Sequence, residues 1–266
     1  MLSVNHLYRS CFKYALLSVV FLCVSCISSY ISPSGQISTE QRAVAPFEKV
    51  SVATGIDMVL REGQQNVLVE SYENILPFIE TEVSGNTLFV RLKPHTYIRG
   101  NAHMVVYVSA EYFSSVEASG GAEVDITGVL TSQKLQLVAS GGSDFDCTEN
   151  STLRCNEITL NVSGGGEADL HIVCTKLSVN ASGGSEVTLS GEAETASIDL
   201  SGGSRIEAFS LLTTTLQAVL SGGSTAEVNV ADYIAANLSG GSRLIYKGSP
   251  RIDLDSSGGS SIIPAR

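Results

Sequence analysis

The amino-acid sequence predicts an all-β chain, a right-handed parallel β-helix or solenoid of about eight coils preceded by an irregular β segment. Three observations predict it. The first is composition: the 266 residues include 25 Gly, only 6 Pro and no Trp, and 43% are hydrophobic. That is enough apolar surface for a buried core, and it suits short strands joined by glycine turns better than long helices. The second is repetition. The tripeptide Ser-Gly-Gly begins at Ser119, Ser140, Ser163, Ser182, Ser201, Ser221, Ser239 and Ser257, at spacings of 21, 23, 19, 19, 20, 18 and 18 residues, and a near-constant period of this size marks a stacked-repeat architecture. The third is alternation: at five, three and one positions before each Ser stand mainly apolar residues with mostly polar residues between them, the period of a half-buried strand, which excludes a helix.

The elements follow in chain order. Residues 1–25 read as a targeting segment outside the fold. Arg9 and Lys13 precede an apolar run over 15–24 and then Cys23-Val24-Ser25-Cys26, and an apolar run this short does not span a bilayer. The segment resembles a bacterial lipoprotein signal, in which small residues precede a Cys that is lipidated after cleavage, and Cys26 is the candidate anchor. Cys23 stands where such signals usually carry Leu, with Leu22 one residue further out. A simple secretory signal cleaved near Ser25 and a retained anchor are the two other readings of the same residues. Residues 26–45, with Ser, Pro and Gly but few large apolar side chains, read as a tether.

Residues 46–118 lack the tripeptide but carry strand signals, and they form either part of the same domain or its cap. Val50 and Val52 alternate with polar residues, Val67-Leu68-Val69 is a β-rich run, and Val83-Ser84-Gly85-Asn86-Thr87-Leu88 suggests a hairpin. Residues 73–80 have room for one helical turn, broken by Pro77. A solenoid end exposes unpaired strand edges, and this segment is placed to cover one.

Residues 119–266 are the repeat. Five positions before each Ser, from the second repeat onward, stand Leu135, Ile158, Leu177, Ala196, Leu216, Ile234 and Ile252; five after stand Val124, Phe145, Ala168, Val187, Ile206, Ala226, Leu244 and Ile262. Each coil therefore reads as strand, Gly-Gly corner, strand, and a variable second corner with an occasional Gly of its own (Gly128, Gly191, Gly248). A lone coil cannot cover its apolar face, whereas stacked coils about 4.8 Å apart can. Gly permits the positive φ of a sharp corner. The next residue is small in every coil, usually Ser (Ser143, Ser185, Ser204, Ser224, Ser242, Ser260), and its hydroxyl can bond to a neighbouring hydroxyl or to corner backbone.

The segment Phe47-Glu48-Lys49-Val50, the motif Gly55-Ile56-Asp57-Met58, the stretch Ile75-Leu76-Pro77-Phe78-Ile79-Glu80-Thr81-Glu82-Val83 and the Ser-Gly-Gly series together resemble the head GIN domain family. Domains of that family are described as heads of autotransporter adhesins and are frequent in lipoproteins of Bacteroidetes. The resemblance spans nearly all of 46–262 and implies a β-helical fold and an envelope location. It brings no catalytic residue to carry over.

Charge and side-chain chemistry narrow the function. Net charge is −11 and, once residues 1–25 are removed with Arg9 and Lys13, 14 basic residues face 27 acidic ones. Such a surface repels nucleic acid and anionic lipid headgroups, so membrane association is expected through the lipid anchor only. Glu123, Asp144, Glu167 and Glu186 fall four positions after successive corner serines, and Asp125, Asp146 and Asp169 six after. These outward columns pose a choice between a solvated acidic face and a Ca²⁺ site; without the glycine-rich ligand loops of calcium repeats, no metal ligand and no cofactor is assigned. Arg205 and Arg243 interrupt the first column. His6, His95, His103 and His171 lack zinc spacing. Cys147, Cys155 and Cys174 remain beyond the signal; Cys155 and Cys174 each lie eight residues before a corner Ser, where a disulfide between neighbouring coils is conceivable, and a Cys147–Cys155 bridge closing the longest repeat is the alternative. Polysaccharide-cleaving β-helices need paired carboxylates with separated pKa values, or a calcium site with a basic residue, in an aromatic-lined groove, and a Trp-free chain of short coils with its acids in a regular ladder offers no such cluster. The expectation is a non-enzymatic lipoprotein of a Gram-negative outer membrane, surface-exposed or facing the periplasm, displaying a scaffold or adhesin-like surface to an envelope protein or glycan. A periplasmic regulatory or assembly factor and, third, a polysaccharide-active enzyme are the alternatives.

Overall fold

The computed structural model describes residues 29–265, and Cys26, the candidate lipid anchor, lies outside them. Nine strands precede the repeats: β1 (Ser29–Ile31), β2 (Ile37–Gln41), β3 (Lys49–Ala53), β4 (Asp57–Glu62), β5 (Asn66–Tyr72), β6 (Ile79–Ser84), β7 (Thr87–Leu92), β8 (Thr96–Ile98) and β9 (Met104–Ala110). The repeat region contains β10 (Ser115–Ser119), β11 (Glu123–Ile126), β12 (Val129–Ser140), β13 (Asp144–Cys147), β14 (Thr152–Ser163), β15 (Glu167–Ser182), β16 (Glu186–Leu200), β17 (Arg205–Leu220), β18 (Thr225–Leu238), β19 (Arg243–Lys247), β20 (Arg251–Ser256) and β21 (Ser261–Pro264). All except β1 and β8 join one sheet that winds around a continuous apolar core.

The repeats stack in parallel and in register. On a first face, before the corner, Ala118 meets Ala139, Ala139 meets Val162, Val162 meets Ala181 and Ala181 meets Leu200. On a second face, after the corner, Val124, Phe145, Ala168, Val187 and Ile206 form the matching column. These residues are essentially fully buried, because a residue in the middle of the stack is covered above and below by its own equivalents.

The corners explain the tripeptide. Both glycines of every pair have positive φ, for example Gly222 at 66° and Gly223 at 81°, a conformation that costs any residue with a Cβ. The two are not equivalent. A Cβ on the first glycine would meet the backbone nitrogen of the glycine one coil earlier, at 2.9 Å for Gly222 and 2.8 Å for Gly240, whereas one on Gly223 would meet nothing within 4 Å. The serine that follows is buried and turns its hydroxyl to backbone carbonyls: Ser143 Oγ lies 2.8 Å from the oxygens of Ala118 and Ser140, and Ser185 Oγ lies 3.1 Å from Val162 O and 2.9 Å from Ser182 O. The serine column thus satisfies corner carbonyls and does not form a hydroxyl-to-hydroxyl ladder.

The coils of β12 and β14 to β16 also have a third face. The long strands β12 and β14 to β16 skip one pairing at Gln133, Asn156, Thr175 and Glu194, so that residues 129–132, 152–155, 171–174 and 190–193 make a separate parallel ladder before the first face resumes. That ladder begins only at β12, and its outer edge is closed by a side chain, the Glu62 carboxylate accepting from Thr131 N at 2.6 Å.

The segment before the repeats extends the same faces and then closes them. β7 and β3 continue the first face below β10, and β9 and β4 continue the second below β11. Antiparallel strands cover the outermost edges: β6 folds back on β7 through the expected hairpin at Gly85, and β5 and β2 add beyond β9. Residues expected to be a free tether therefore include two strands, because β2 supplies an edge strand to β5 and β1 pairs with β8. The helical turn over Leu76–Phe78 contains Pro77 in its first positions instead of being broken by it, as the ring fixes a helical φ where no N–H is required. At the other end, Leu254 of β20 is 41% exposed, and Ile252 and Ile262 are only partly buried.

Candidate functional site

Two surfaces concentrate polar chemistry. The first is the acidic one expected from the repeat. Glu123 pairs with Asp144, Asp144 with Glu167 and Glu167 with Glu186, while Asp125 pairs with Asp146 and Asp146 with Asp169. All seven carboxylates point away from the core. The first column ends where Glu186 meets Arg205. Parallel stacking holds these like charges at coil spacing, and the electrostatics follow: partial burial and then the charges of its neighbours, Asp125 first, hold Glu123 and Asp146 above the ordinary carboxylate range. Asp57, at the same edge, is raised by burial and by Asp125. Glu123, Asp125 and Asp146 offer oxygens that all lie within 4.8 Å of one another. A calcium ion takes six to eight oxygens, so these three carboxylates alone would leave most of its coordination to water.

The second surface, which the sequence did not single out, is an open groove of about 930 Å³ running across three coils at the junction of the third and first faces. Its floor holds Cys155 and Cys174, and its walls carry Gln133, Lys134, Arg154 and Asn156, with Tyr112 from the loop that precedes β10. Asn156 donates to Gln133 Oε1 at 2.6 Å, and Lys134 pairs with Glu157 at 2.9 Å. Tyr112 donates its hydroxyl to Glu48. Gln133, Lys134, Arg154 and Asn156 sit within two residues of the skipped pairing of their coil. The only sequence signal for the groove is the unbroken polar pair or triplet that interrupts the two-residue alternation, such as Ser132-Gln133-Lys134.

The cysteines fall where the register places them. Cys155 and Cys174 are direct partners on adjacent strands, and both are free thiols. Burial pushes each up to about 11, Cys174 also through its neighbour Cys155, so both stay protonated near neutral pH. Cys147 is also free, is partly buried against the core and is likewise raised by burial. Of the histidines, His6 lies outside the described residues, His95 is exposed, His171 bonds Ser190 Oγ at 3.0 Å, and His103 pairs with Glu70 at 2.6 Å.

The family model described as "Putative auto-transporter adhesin, head GIN domain" matches the chain twice, over residues 46–152 and 146–250. Solved structures share the fold. A "putative adhesin" from Parabacteroides merdae is 20% identical with a TM-score of 0.82, covering 89% of this chain and 99% of that one. A "putative adhesin" from Parabacteroides distasonis is 22% identical with a TM-score of 0.84, covering 89% and 100%. A "putative lipid binding protein" from the same species is 18% identical with a TM-score of 0.82, covering 90% and 100%. No protein of curated function matches the chain. The two family matches span most of its length, bracket both the capped entry and the Ser-Gly-Gly coils, and show that the chain belongs to the head GIN domain family.

Proposed function

We propose that this chain is a non-catalytic envelope lipoprotein, anchored through Cys26 in the outer membrane of a Gram-negative bacterium, which presents its solenoid as an adhesin-like binding surface. The observation that carries this reading is the groove across three coils. Its Arg154 guanidinium and Asn156 amide stand on β14, which is paired in register with β12 on one side and β15 on the other, so little backbone ordering entropy is lost when a ligand docks. Its length suits an extended polar ligand, a glycan chain or a polypeptide strand, that touches successive coils. The naming of two structural neighbours as adhesins agrees with it. The paired carboxylates of the second face form a continuous ladder on open sheet, with no enclosed site to separate an acid from a base.

The test is binding of the purified chain to a panel of bacterial and host glycans and envelope proteins, with and without Ca²⁺, alongside the Arg154→Ala/Asn156→Ala variant. A saturable ligand whose affinity drops about tenfold or more in the variant is expected, since two polar contacts of the groove wall are removed. No binding across the panel, together with protection from protease on intact cells, would replace adhesion with a periplasmic assembly or regulatory role. Turnover of any glycan would overturn the non-catalytic reading.

A further inference from the structure

We infer that Tyr30, Tyr97, Arg99 and Lys93 form a membrane-contacting foot, which seats the capped end of the solenoid in the headgroup layer of the bilayer that holds the anchor; this rests on the reading of Cys26 as the lipidated residue. The stretch 91–103 (RLKPHTYIRGNAH) carries Arg91, Lys93 and Arg99 and no acidic residue, in a chain of net charge −11. Arg91 is spent on Glu80 and Glu82, and His103 on Glu70. Lys93 and Arg99 take part in none of the ion pairs among the described residues.

These two cations flank an exposed aromatic pair. β1 and β8 run parallel with Tyr30 opposite Tyr97; the rings stack at 5.6 Å between centroids while remaining 64% and 50% exposed. The Arg99 guanidinium lies 5.3 Å from the Tyr30 ring centroid. Stacked tyrosines with an arginine on the ring leave apolar edges, hydroxyls and a cation all facing outward, the combination suited to the boundary between acyl chains and phosphates. Ile31 and Ile98 of the same two strands pack against the core, which fixes the pair on the body of the protein.

The chain itself dictates where this foot sits. Three peptide units separate Cys26 from Ser29, a reach of at most about 10 Å, and β1 begins at Ser29. Since the interfacial layer of one leaflet is roughly 5–8 Å deep, an acylated Cys26 in that layer brings Tyr30 to the membrane surface. The connection between β7 and β9 that carries β8 belongs to the capped end of the stack. The general acidity of the protein opposes membrane contact, and the foot is the local exception that decides which end approaches.

The absence of Trp from the chain gives a clean probe. Full-length protein carrying Tyr97→Trp or Tyr233→Trp is reconstituted in phosphatidylethanolamine/phosphatidylglycerol vesicles with acyl-brominated lipid as quencher, and the mass of the Cys26 peptide is measured in parallel. Expected is quenching of the indole fluorescence in the Tyr97→Trp variant, with none in the distal Tyr233→Trp variant. Adding Lys93→Gln/Arg99→Gln should weaken that quenching, each basic contact with an anionic surface being worth a factor of about five. Vesicle-bound, acylated protein whose Tyr97→Trp probe is as unquenched as the distal one would overturn the foot and leave the anchor standing. Quenching of that probe without acylation of Cys26 would overturn the anchor and leave the foot. Failure to bind vesicles at all would overturn both.

Discussion

At the scale of single residues, the Ser-Gly-Gly tripeptide separates two costs that a glycine substitution usually mixes. Gly222→Ala and Gly223→Ala each place a Cβ on a left-handed residue, a strain of about 1–2 kcal/mol, but only the first also drives that Cβ to 2.9 Å from the Gly202 nitrogen. Chemical denaturation should find Gly223→Ala destabilised by roughly that strain alone and Gly222→Ala by at least about twice as much; equal losses would mean that the coils relax apart at the corner. The conformational role of these glycines was legible in the sequence, because only a backbone requirement explains eight Gly-Gly pairs. Their inequality was not, since it arises from the coil below. The cysteines show the same limit. Equal distance from the corner predicted that Cys155 and Cys174 would be neighbours, but spacing could not say that the pair would be two protonated thiols.

At the scale of elements, the acidic columns behave as one unit. Asp57, Glu123 and Asp146 have their folded pKa values raised above ordinary carboxylate values. A raised folded value means that the native state binds more protons than the unfolded chain in the range just above those ordinary values, so stability falls as pH rises through it and recovers on acidification. The urea midpoint is therefore expected to increase as pH is lowered from 7 toward the ordinary carboxylate range. Asp125→Asn, which removes the strongest neighbouring charge from Glu123 and Asp146, should raise the midpoint at pH 7 and flatten this dependence; high salt should do the same by screening. A midpoint insensitive to pH and to Asp125→Asn would show that solvent already screens the ladder. The columns were readable because charge and position repeat with the corner. The third face was not: it has few residues per coil and is cut from the first face by a skipped pairing, so it dissolves into what reads as a variable corner, and the groove went with it.

At the scale of the whole molecule, the solenoid is capped at one end and open at the other. Antiparallel β6, β5 and β2 close the entry, while β20 and β21 end the stack with apolar residues half-covered. Truncation should report the gradient directly: Leu220→Ala, in a fully buried column position, is expected to cost about 2–5 kcal/mol, and Leu254→Ala less than about 1 kcal/mol. Equal costs at the two sites, measured by urea unfolding, would require an additional covering over the last coil. The sequence left 46–118 as either part of the repeat domain or its cap; which strands extend the faces and which reverse direction depends on contacts between segments far apart in the chain.

Coil length varies from 18 to 23 residues, yet the first and second faces stay paired in parallel along the stack, and the register shifts fall at their margin, after Thr188, after Ala208 and after Thr213. Every extra residue is consequently taken up along a single edge, between the end of the second face and the start of the first, as in the turn at residues 148–151 and the irregularity at residues 209–211. Lengthening a surface loop there costs only the slow logarithm of closure entropy, while the same insertion within either face would invert the inside and outside of a strand. The fold thus confines variation in coil length to one margin and spares the two ladders that hold the stack together.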